Sequence, residues 1–481
     1  MNTSLQIQPE ILETLQQAGQ EHLVRFWDEL TPQQQQNLVD QIRSIDFPLM
    51  QQLIQNRATS GPGGEVAHGE SVAARAARAL PPQQLVRIPR TQADREQQKQ
   101  AVEEGEELLR SGNVGAILVA GGQGSRLGFD APKGMFPIGP VSDRTLFQIL
   151  CEQVLARSLR VGVAIPYFVM TSEATHHETV KFFEQNRYFG LSEDDVFFFQ
   201  QSSLPAVDAE TGRMLMEDKD RILTSPDGHG GMLRALESTG MLGVMRDRDI
   251  EHLYYHQVDN PTAIVCDPAL LGYHFQNNSD LTTKVVTKIN PEERMGVLAT
   301  IDGKTEIIEY SDLPEEQARR KQSDGTLVFW AGNTAIHVFK RVFIEKLLKN
   351  KLSLPFHTAH KKVACINDSG EFIDPAQPNA YKFEQFIFDA LPHAKVAMVV
   401  EGVRKREFNP VKNAEGNDSP ASSRAALLHL AREWIEAAGG IVGKNIPIEI
   451  SPLYALDAHE LEEKLQPGQT FNRPTVLKEV T

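Results

Sequence analysis

The sequence predicts an α/β protein: a mostly parallel, doubly wound, Rossmann-like central sheet with a helical N-terminal part and a smaller C-terminal domain. Three observations carry that prediction. From Gly115 onward, short apolar runs alternate with segments whose apolar residues follow helical spacing, the pattern of repeated βα units. The runs show no polar alternation, as expected of strands covered on both faces. Glycine-rich or acidic residues stand where those runs end, which is where open α/β sheets bind ligands.

Taken in order, residues up to Asn56 read as helical, with Thr31, Pro32 and Gln34 supplying an N-cap, a first-turn proline and its N3 partner. Arg57 to Pro82 is rich in Gly, Ala, Ser and Pro without sustained periodicity and reads as a surface linker or a mobile loop. Ala116 to Ala120 is a buried strand that breaks into Gly121, Gly122, Gln123 and Gly124. Leu146, Ile149, Leu150, Val154 and Leu155 follow helical spacing, and strands are expected at Tyr167–Thr171, Val196–Gln200 and Leu253–Val258. Asp302-Gly303, between Val297–Ile301 and Thr305–Tyr310, reads as a hairpin turn. A smaller appended domain is expected from about Val396. The expected division is therefore 1–100, a helical region with a linker; 101–395, the central domain; and 396–481, the C-terminal domain.

Composition narrows the function classes. A chain of 481 residues exceeds one ordinary domain, and its 41% hydrophobic content and mean hydropathy of -0.33 describe a soluble globular protein. No apolar stretch approaches the roughly 20 residues of a membrane helix, and the N-terminus lacks a basic region followed by an apolar one, so cytoplasmic residence without membrane attachment is expected. Cys151, Cys266 and Cys365 form no C-x-x-C pair, as expected of reduced thiols. A net charge of -15 disfavours nucleic acid as a partner. It also means that any polyanionic ligand must be met by local cations and a divalent metal.

The stretch from Gly115 to Lys133 couples the first buried strand to a turn carrying Arg126 and Lys133. Glycines there can take positive φ and bring backbone N–H groups against an anion, and a planar guanidinium suits phosphate oxygens. A P-loop would need Lys followed by Ser or Thr, and a dinucleotide fingerprint would need glycine at Leu127; neither is present. From these residues alone a structural turn with solvated cations stays open. Asp259, ending an apolar strand inside V-D-N, is the candidate Mg²⁺ ligand, because hard cations in phosphoryl-transfer sites take one or two carboxylates plus substrate phosphates. A helix-capping aspartate is the alternative, and Asp227 in P-D-G is a second metal candidate. His176, His177, His357 and His360 invite a metal reading, but H-x-x-H without a carboxylate or cysteine neighbour is a weak signal, and they read as surface or structural histidines.

The string G-G-x-G-[ST]-R-L-G-x-x-x-P-K as a whole resembles the nucleotide-binding loop of the sugar-nucleotide pyrophosphorylases. T-L-F-Q-I-L from Thr145, K-F-F-E-Q-N-R-Y-F-G-L from Lys181, S-P-D-G-H-G-G from Ser225, V-D-N from Val258, E-Y-S from Glu309, A-G-N from Ala331 and V-K-N from Val411 continue it collinearly. Together they resemble the eukaryotic-type UDP-N-acetylhexosamine pyrophosphorylase family. The resemblance implies an Mg²⁺-dependent uridylyltransferase making a UDP-sugar and pyrophosphate from UTP and a sugar 1-phosphate. UDP-N-acetylglucosamine or its galactosamine epimer is the expected product; UDP-glucose or a wider range is the second reading, and a non-catalytic nucleotide-sugar sensor the third. It further implies that Gly121, Gly122 and Gly124 cradle the nucleotide, and that Arg126, Lys133 and Lys412 meet its phosphates. By the same resemblance Gln201 and the stretch from Gly228 contact uracil, and Glu309 and Asn333 contact the sugar. His229 departs from the pattern: acetylhexosamine enzymes usually carry Asn there, and G-H-G resembles UDP-glucose and broad-range enzymes. Ser125 stands where Thr is usual.

Overall fold

The computed structural model describes residues 6–56, 72–350 and 354–478. The chain forms two compact units, each assembled from three separated stretches: a larger one from Ala76–Gln200, Leu233–Ser353 and Ala390–Thr481, and a smaller one from Met1–Arg75, Gln201–Met232 and Leu354–Asp389. Such units cut across any consecutive division of the chain. The 100/101 boundary falls inside the helix Gln92–Arg110, and Ala397–Glu401, expected in an appended domain, is a strand of the large sheet.

The larger unit is organised by a ten-stranded sheet. In chain order its strands are β1 (Leu85–Val86), β2 (Val114–Val119), β3 (Tyr167–Thr171), β4 (Val196–Gln200), β5 (His252–Gln257), β6 (Leu281–Thr287), β7 (Val297–Ile301), β8 (Lys304–Ile308), β9 (Ala331–Lys340) and β10 (Ala397–Glu401). The spatial order is β1-β10-β6-β9-β5-β2-β3-β4, with the β7–β8 hairpin attached through β7 to β9. β9 runs antiparallel to both β5 and β6, whereas the remaining pairs along that path are parallel. The sheet is thus mostly but not wholly parallel. The hairpin turns at Asp302 (φ 50) and Gly303 (φ 81), the two left-handed residues a type I′ turn requires.

Helix α1 (Leu146–Val161) follows the glycine-rich loop, opens on Thr145, whose hydroxyl accepts from Gln148 N–H at 3.2 Å, and ends at left-handed Gly162. Its Phe147 is fully buried and meets Phe183 edge-on at 5.1 Å, beneath β2 and β3 residues of the same core. Burial of such a ring is worth about 1.5–3 kcal/mol, so this cluster fixes the helix against the strands that carry the loop.

In the smaller unit the helices Pro9–Ala18, Pro32–Ser44 and Phe47–Asn56 pack Leu15, Leu38, Ile42 and Met50 with Phe383. The second opens on the capping box expected of Thr31 and Gln34, with Pro32 in its first turn. A three-stranded sheet there has Ala380–Gln385 between Phe356–Lys361 and Val207–Asp208. Of the expected linker, residues 57–71 lie outside the described residues. The remainder is structured, with a helix at Val72–Arg78 and Leu80 bridging to Thr300. Among the described residues no helix is long and apolar enough to cross a membrane.

Candidate active site

β2 and β5 lie side by side and parallel, with Gln257 opposite Val119, so their carboxyl ends are adjacent. Val258 N–H donates to the Val119 carbonyl at 3.1 Å, which sets Asp259 beside the start of the glycine-rich loop. The loop is closed on itself: Gly124 N–H donates to Ala131 O at 2.9 Å and Lys133 N–H to Gly122 O at 3.0 Å. Two bonds tie it to the segment after β3, Ser172 Oγ donating to Gly121 O at 2.8 Å and the loop's own Gln123 Nε2 donating to Ala174 O at 3.1 Å. The expected left-handed glycines are not Gly121, Gly122 or Gly124; the loop's one positive φ is at Gly128. Close approach is what requires glycine at 124, where a Cβ would stand 2.8 Å from the Phe129 carbonyl oxygen. Arg126 is exposed in a single helical turn, Lys133 is half-buried in the next, and neither forms an ion pair among the described residues.

Asp259 lies in a turn and caps no described helix. The next helix, α2 (Pro268–Gln276), is capped by Asp267, whose carboxylate accepts from Ala269 N–H at 3.0 Å. Val411 N–H donates to the Asp259 carbonyl at 2.8 Å, bringing the neighbouring Lys412 to the same strand end. The Lys412 ammonium stands 5.4 Å from the Phe408 ring centre. Asp418, which the sequence did not single out, lies among these groups. Burial holds its carboxyl above the ordinary range with the charges of Glu293 and Asp259, against Lys412 and Arg404. Glu309 and Asn333 flank one glycine: a Cβ on Gly296 would sit 2.5 Å from Glu309 Oε1, and Asn333 N–H donates to Gly296 O at 2.9 Å. The Asn333 side chain is turned by its own backbone, accepting from Ala335 N–H at 2.9 Å beside a left-handed Ala335.

In the smaller unit Gln201 is buried and its Nε2 lies 3.4 Å from the Gly228 carbonyl. His229 is half-buried, stacks on Phe386 at 5.4 Å and accepts at Nδ1 from Ile387 N–H at 3.2 Å. Burial, with a smaller push from His357, lowers its pKa to about 4. The ring is therefore neutral near pH 7, with Nε2–H as its free donor. Asp227 is buried beneath this turn, which makes it the poorer of the two metal candidates.

Residues 64–461 match the family described as UTP--glucose-1-phosphate uridylyltransferase. The chain belongs to that family. It is 35% identical to the human protein called UDP-N-acetylhexosamine pyrophosphorylase-like protein 1, over 97% of this chain and 96% of that one. It is 36% identical to the UDP-N-acetylglucosamine pyrophosphorylase of Saccharomyces cerevisiae, over 78% and 80%. The solved structure of the uridine diphosphate N-acetylglucosamine pyrophosphorylase of Trypanosoma brucei superposes with a TM-score of 0.80 at 26% identity, covering 98% of this chain and 99% of that one.

In this uridylyltransferase-family chain the remaining histidines of the sequence pattern divide into structural and surface groups. His357 pairs with Asp389 at 2.8 Å, His360 packs at a tilt against Tyr381, and His176 Nδ1 lies 2.9 Å from the Thr171 hydroxyl, while His177 is exposed. Among the described residues no group of three or more His, Cys, Asp or Glu side chains could hold a metal ion. A metal at Asp259 would therefore share its coordination with the phosphates of a ligand, which suits Mg²⁺.

Proposed function

We propose that the protein is an Mg²⁺-dependent uridylyltransferase that forms UDP-N-acetylglucosamine or UDP-N-acetylgalactosamine and pyrophosphate from UTP and the N-acetylhexosamine 1-phosphate. The observation that carries this reading is the adjacency of β2 and β5. It sets a closed glycine loop, with two cations that form no ion pair among the described residues, beside a strand-terminal carboxylate and the segment bearing Lys412. Family membership and the names of the relatives support it.

The reaction asks for positioning and charge stabilisation. An oxygen of the sugar phosphate, ionised at neutral pH, attacks the α-phosphorus of UTP while pyrophosphate leaves in line, so no general base is needed. Loop N–H groups at Gly121 and Gly122 bind the nucleotide phosphates, whereas the Gly124 N–H is taken up by the Ala131 carbonyl and serves only to close the loop; Arg126 and Lys133 receive the charge of the leaving pyrophosphate. Asp259 would hold Mg²⁺, which supplies charge neutralisation at the phosphates. Lys412 adds a further cation, Glu309 and Asn333 bind the sugar, and Gln201 with the backbone at Gly228 binds uracil.

Pyrophosphate release measured across a panel of sugar 1-phosphates, with UTP and with ATP, tests this. Turnover of N-acetylhexosamine 1-phosphates with UTP is expected; equal turnover with ATP would overturn the uracil assignment. His229 supports a second reading, UDP-glucose synthesis, because it places a neutral N–H donor where the acetylhexosamine pattern has an amide. If that donor sets selectivity, His229→Asn will shift the ratio of kcat/KM between N-acetylglucosamine 1-phosphate and glucose 1-phosphate. An unchanged ratio removes His229 from specificity.

A further inference from the structure

Lys284 on β6 has 2% of its surface exposed and takes no part in the scheme above. Its ammonium is 2.5 Å from Asp267 Oδ2 and is also bonded to Glu407 Oε2. Burial opposes the charge, but the two carboxylates outweigh it and hold Lys284 above the ordinary lysine value. Taking three charged groups out of water is costly and needs well-made geometry to be repaid, so a purely stabilising triad would serve no better than apolar residues.

What the partners hold gives the triad a use. Asp267 closes the segment that begins at Asp259, following Cys266 in a left-handed conformation and capping α2. Glu407 belongs to the segment that leads to Lys412. Its backbone carbonyl accepts from Asn260 Nδ2 at 2.8 Å and its Oε1 from Val403 N–H at 2.6 Å. Asn409 N–H in turn donates to Asn260 Oδ1 at 3.1 Å, two residues before the bond from Val411 to Asp259. A third arm joins through the backbone. The Lys284 carbonyl accepts from Thr334 Oγ1 at 2.6 Å, and the β6–β9 register shifts between Lys284 and Val285, the residue paired with Asn333.

We infer that Lys284 is a positioning residue: a buried ionic hub that fixes the Asp259 turn, the Lys412 segment and the Asn333 strand in one frame. The inference rests on the uridylyl-transfer reading for its consequence in catalysis. A displacement near 1 Å of groups that must align for in-line transfer can cost about a hundredfold in rate.

Two variants of the full chain test it, Glu407→Gln and Lys284→Met. Glu407→Gln keeps the side chain's shape and the carbonyl that holds Asn260, and is expected to fold. Lys284→Met strands two buried carboxylates; if it does not fold, Glu407→Gln decides. Three readouts are taken: thermal midpoint, kcat and KM separately with UTP and N-acetylglucosamine 1-phosphate, and amide hydrogen exchange of the ligand-free protein at 259–266 and 407–412. The expected result is a kcat lower by about 10- to 100-fold with KM for UTP changed less than about threefold. Both segments should exchange faster together while Val114–Val119 stays protected. A lower midpoint with unchanged kcat and unchanged exchange at both segments would overturn the hub and leave a stabilising triad. Wild-type protein inactive on every sugar 1-phosphate would overturn the reaction instead, and the exchange data would still decide whether Lys284 couples the two segments.

Discussion

Gly228 should be irreplaceable for a reason that has nothing to do with ligand contact. Its φ of 83 and ψ of 168 lie in a region that only glycine occupies at low cost. A Cβ there would also stand 2.4 Å from the Gln385 carbonyl oxygen and 2.8 Å from the Gln385 nitrogen. That strand has little room to retreat, since Gln385 N–H donates to the Asp227 carbonyl at 2.7 Å and its side chain to the Leu354 carbonyl at 2.5 Å. Backbone strain of about 1–3 kcal/mol and overpacking of a similar size put Gly228→Ala at about 2–6 kcal/mol of destabilisation. Against a total of about 5–15 kcal/mol that is a large loss. Gly122 is the matched control: its φ is not positive and a Cβ would meet nothing within 4 Å, so Gly122→Ala should cost less than about 0.5 kcal/mol. Urea denaturation of the ligand-free proteins, followed by circular dichroism, reads both. Gly122→Ala should unfold with the wild-type midpoint, yet bind UTP more weakly in calorimetry because a methyl group intrudes on the loop's face. A wild-type midpoint for Gly228→Ala would refute the reasoning, showing that the turn relaxes and that conformation does not select glycine there.

Further outcomes are expected. Arg126→Ala and Lys133→Ala should each fold normally and lower kcat by about a hundredfold or more, since each removes a charge from the leaving pyrophosphate; a near wild-type rate at saturating substrate would make that residue a solvated loop cation. Asp259→Asn should fold, lose most activity at ordinary Mg²⁺ and need more metal for the remainder, because it caps no helix whose loss could explain the defect; an unchanged Mg²⁺ titration would remove it from the site. Stability should fall as pH drops from about 6.5 toward 4. Burial lowers the pKa of His229 and His252 to about 4 and of His256 to about 3, so the unfolded chain takes up protons that the folded one refuses, at up to about 1.4 kcal/mol per pH unit for each ring. Above 6.5 that dependence vanishes; a urea midpoint flat from pH 7 to 5 would contradict it.

What was legible in the sequence was local. The capping box at Thr31, the hairpin at Asp302-Gly303 and the strand bounds near Tyr167 and Val196 are written in a few adjacent residues each. The position of Asp259 at a strand end was legible for the same reason. What escaped is long-range. No local pattern tells that β9 inserts antiparallel between β5 and β6, or that residues 201–232 and 354–389 join the N-terminal helices in one unit. Phe386 reaches His229 across more than 150 positions, as the Ile387 bond with a separation of 158 shows. Asp418 merely precedes the N-cap Ser419 of the helix Pro420–Ala437, and Lys284 is one lysine among many, a residue type that is nearly always solvated, so neither stands out locally. The glycine loop shows the opposite error. Its three leading glycines were expected to use positive φ, but the positive φ sits at Gly128 and close packing explains Gly124, because glycine content signals backbone freedom without saying how it is used.

The acidity of the chain and a polyanionic substrate are reconciled by pairing. With a net charge of -15, most of the field around the protein repels phosphate, but screening confines that repulsion to about 8 Å at physiological ionic strength. At contact distance only the local groups matter. Many cations are already committed: Arg144 to Glu152 and Glu449, Arg248 to Asp195, Arg404 to Glu293. A phosphate would have to break those pairs to use them. Arg126, Lys133 and Lys412 form no ion pair among the described residues, so their full charge is available to an incoming anion. Asp259 is likewise without a cationic partner among the described residues, and a bare carboxylate at that strand end would repel the same phosphates. On the proposed reaction, a divalent cation held by Asp259 would offset that repulsion. Burial meanwhile holds the Asp418 carboxyl above its ordinary range, against the charges of Lys412 and Arg404. The three cations and the carboxylate, none of them ion-paired among the described residues, would together suit the metal–triphosphate ligand of the proposed reaction better than a lone anion or a lone metal ion.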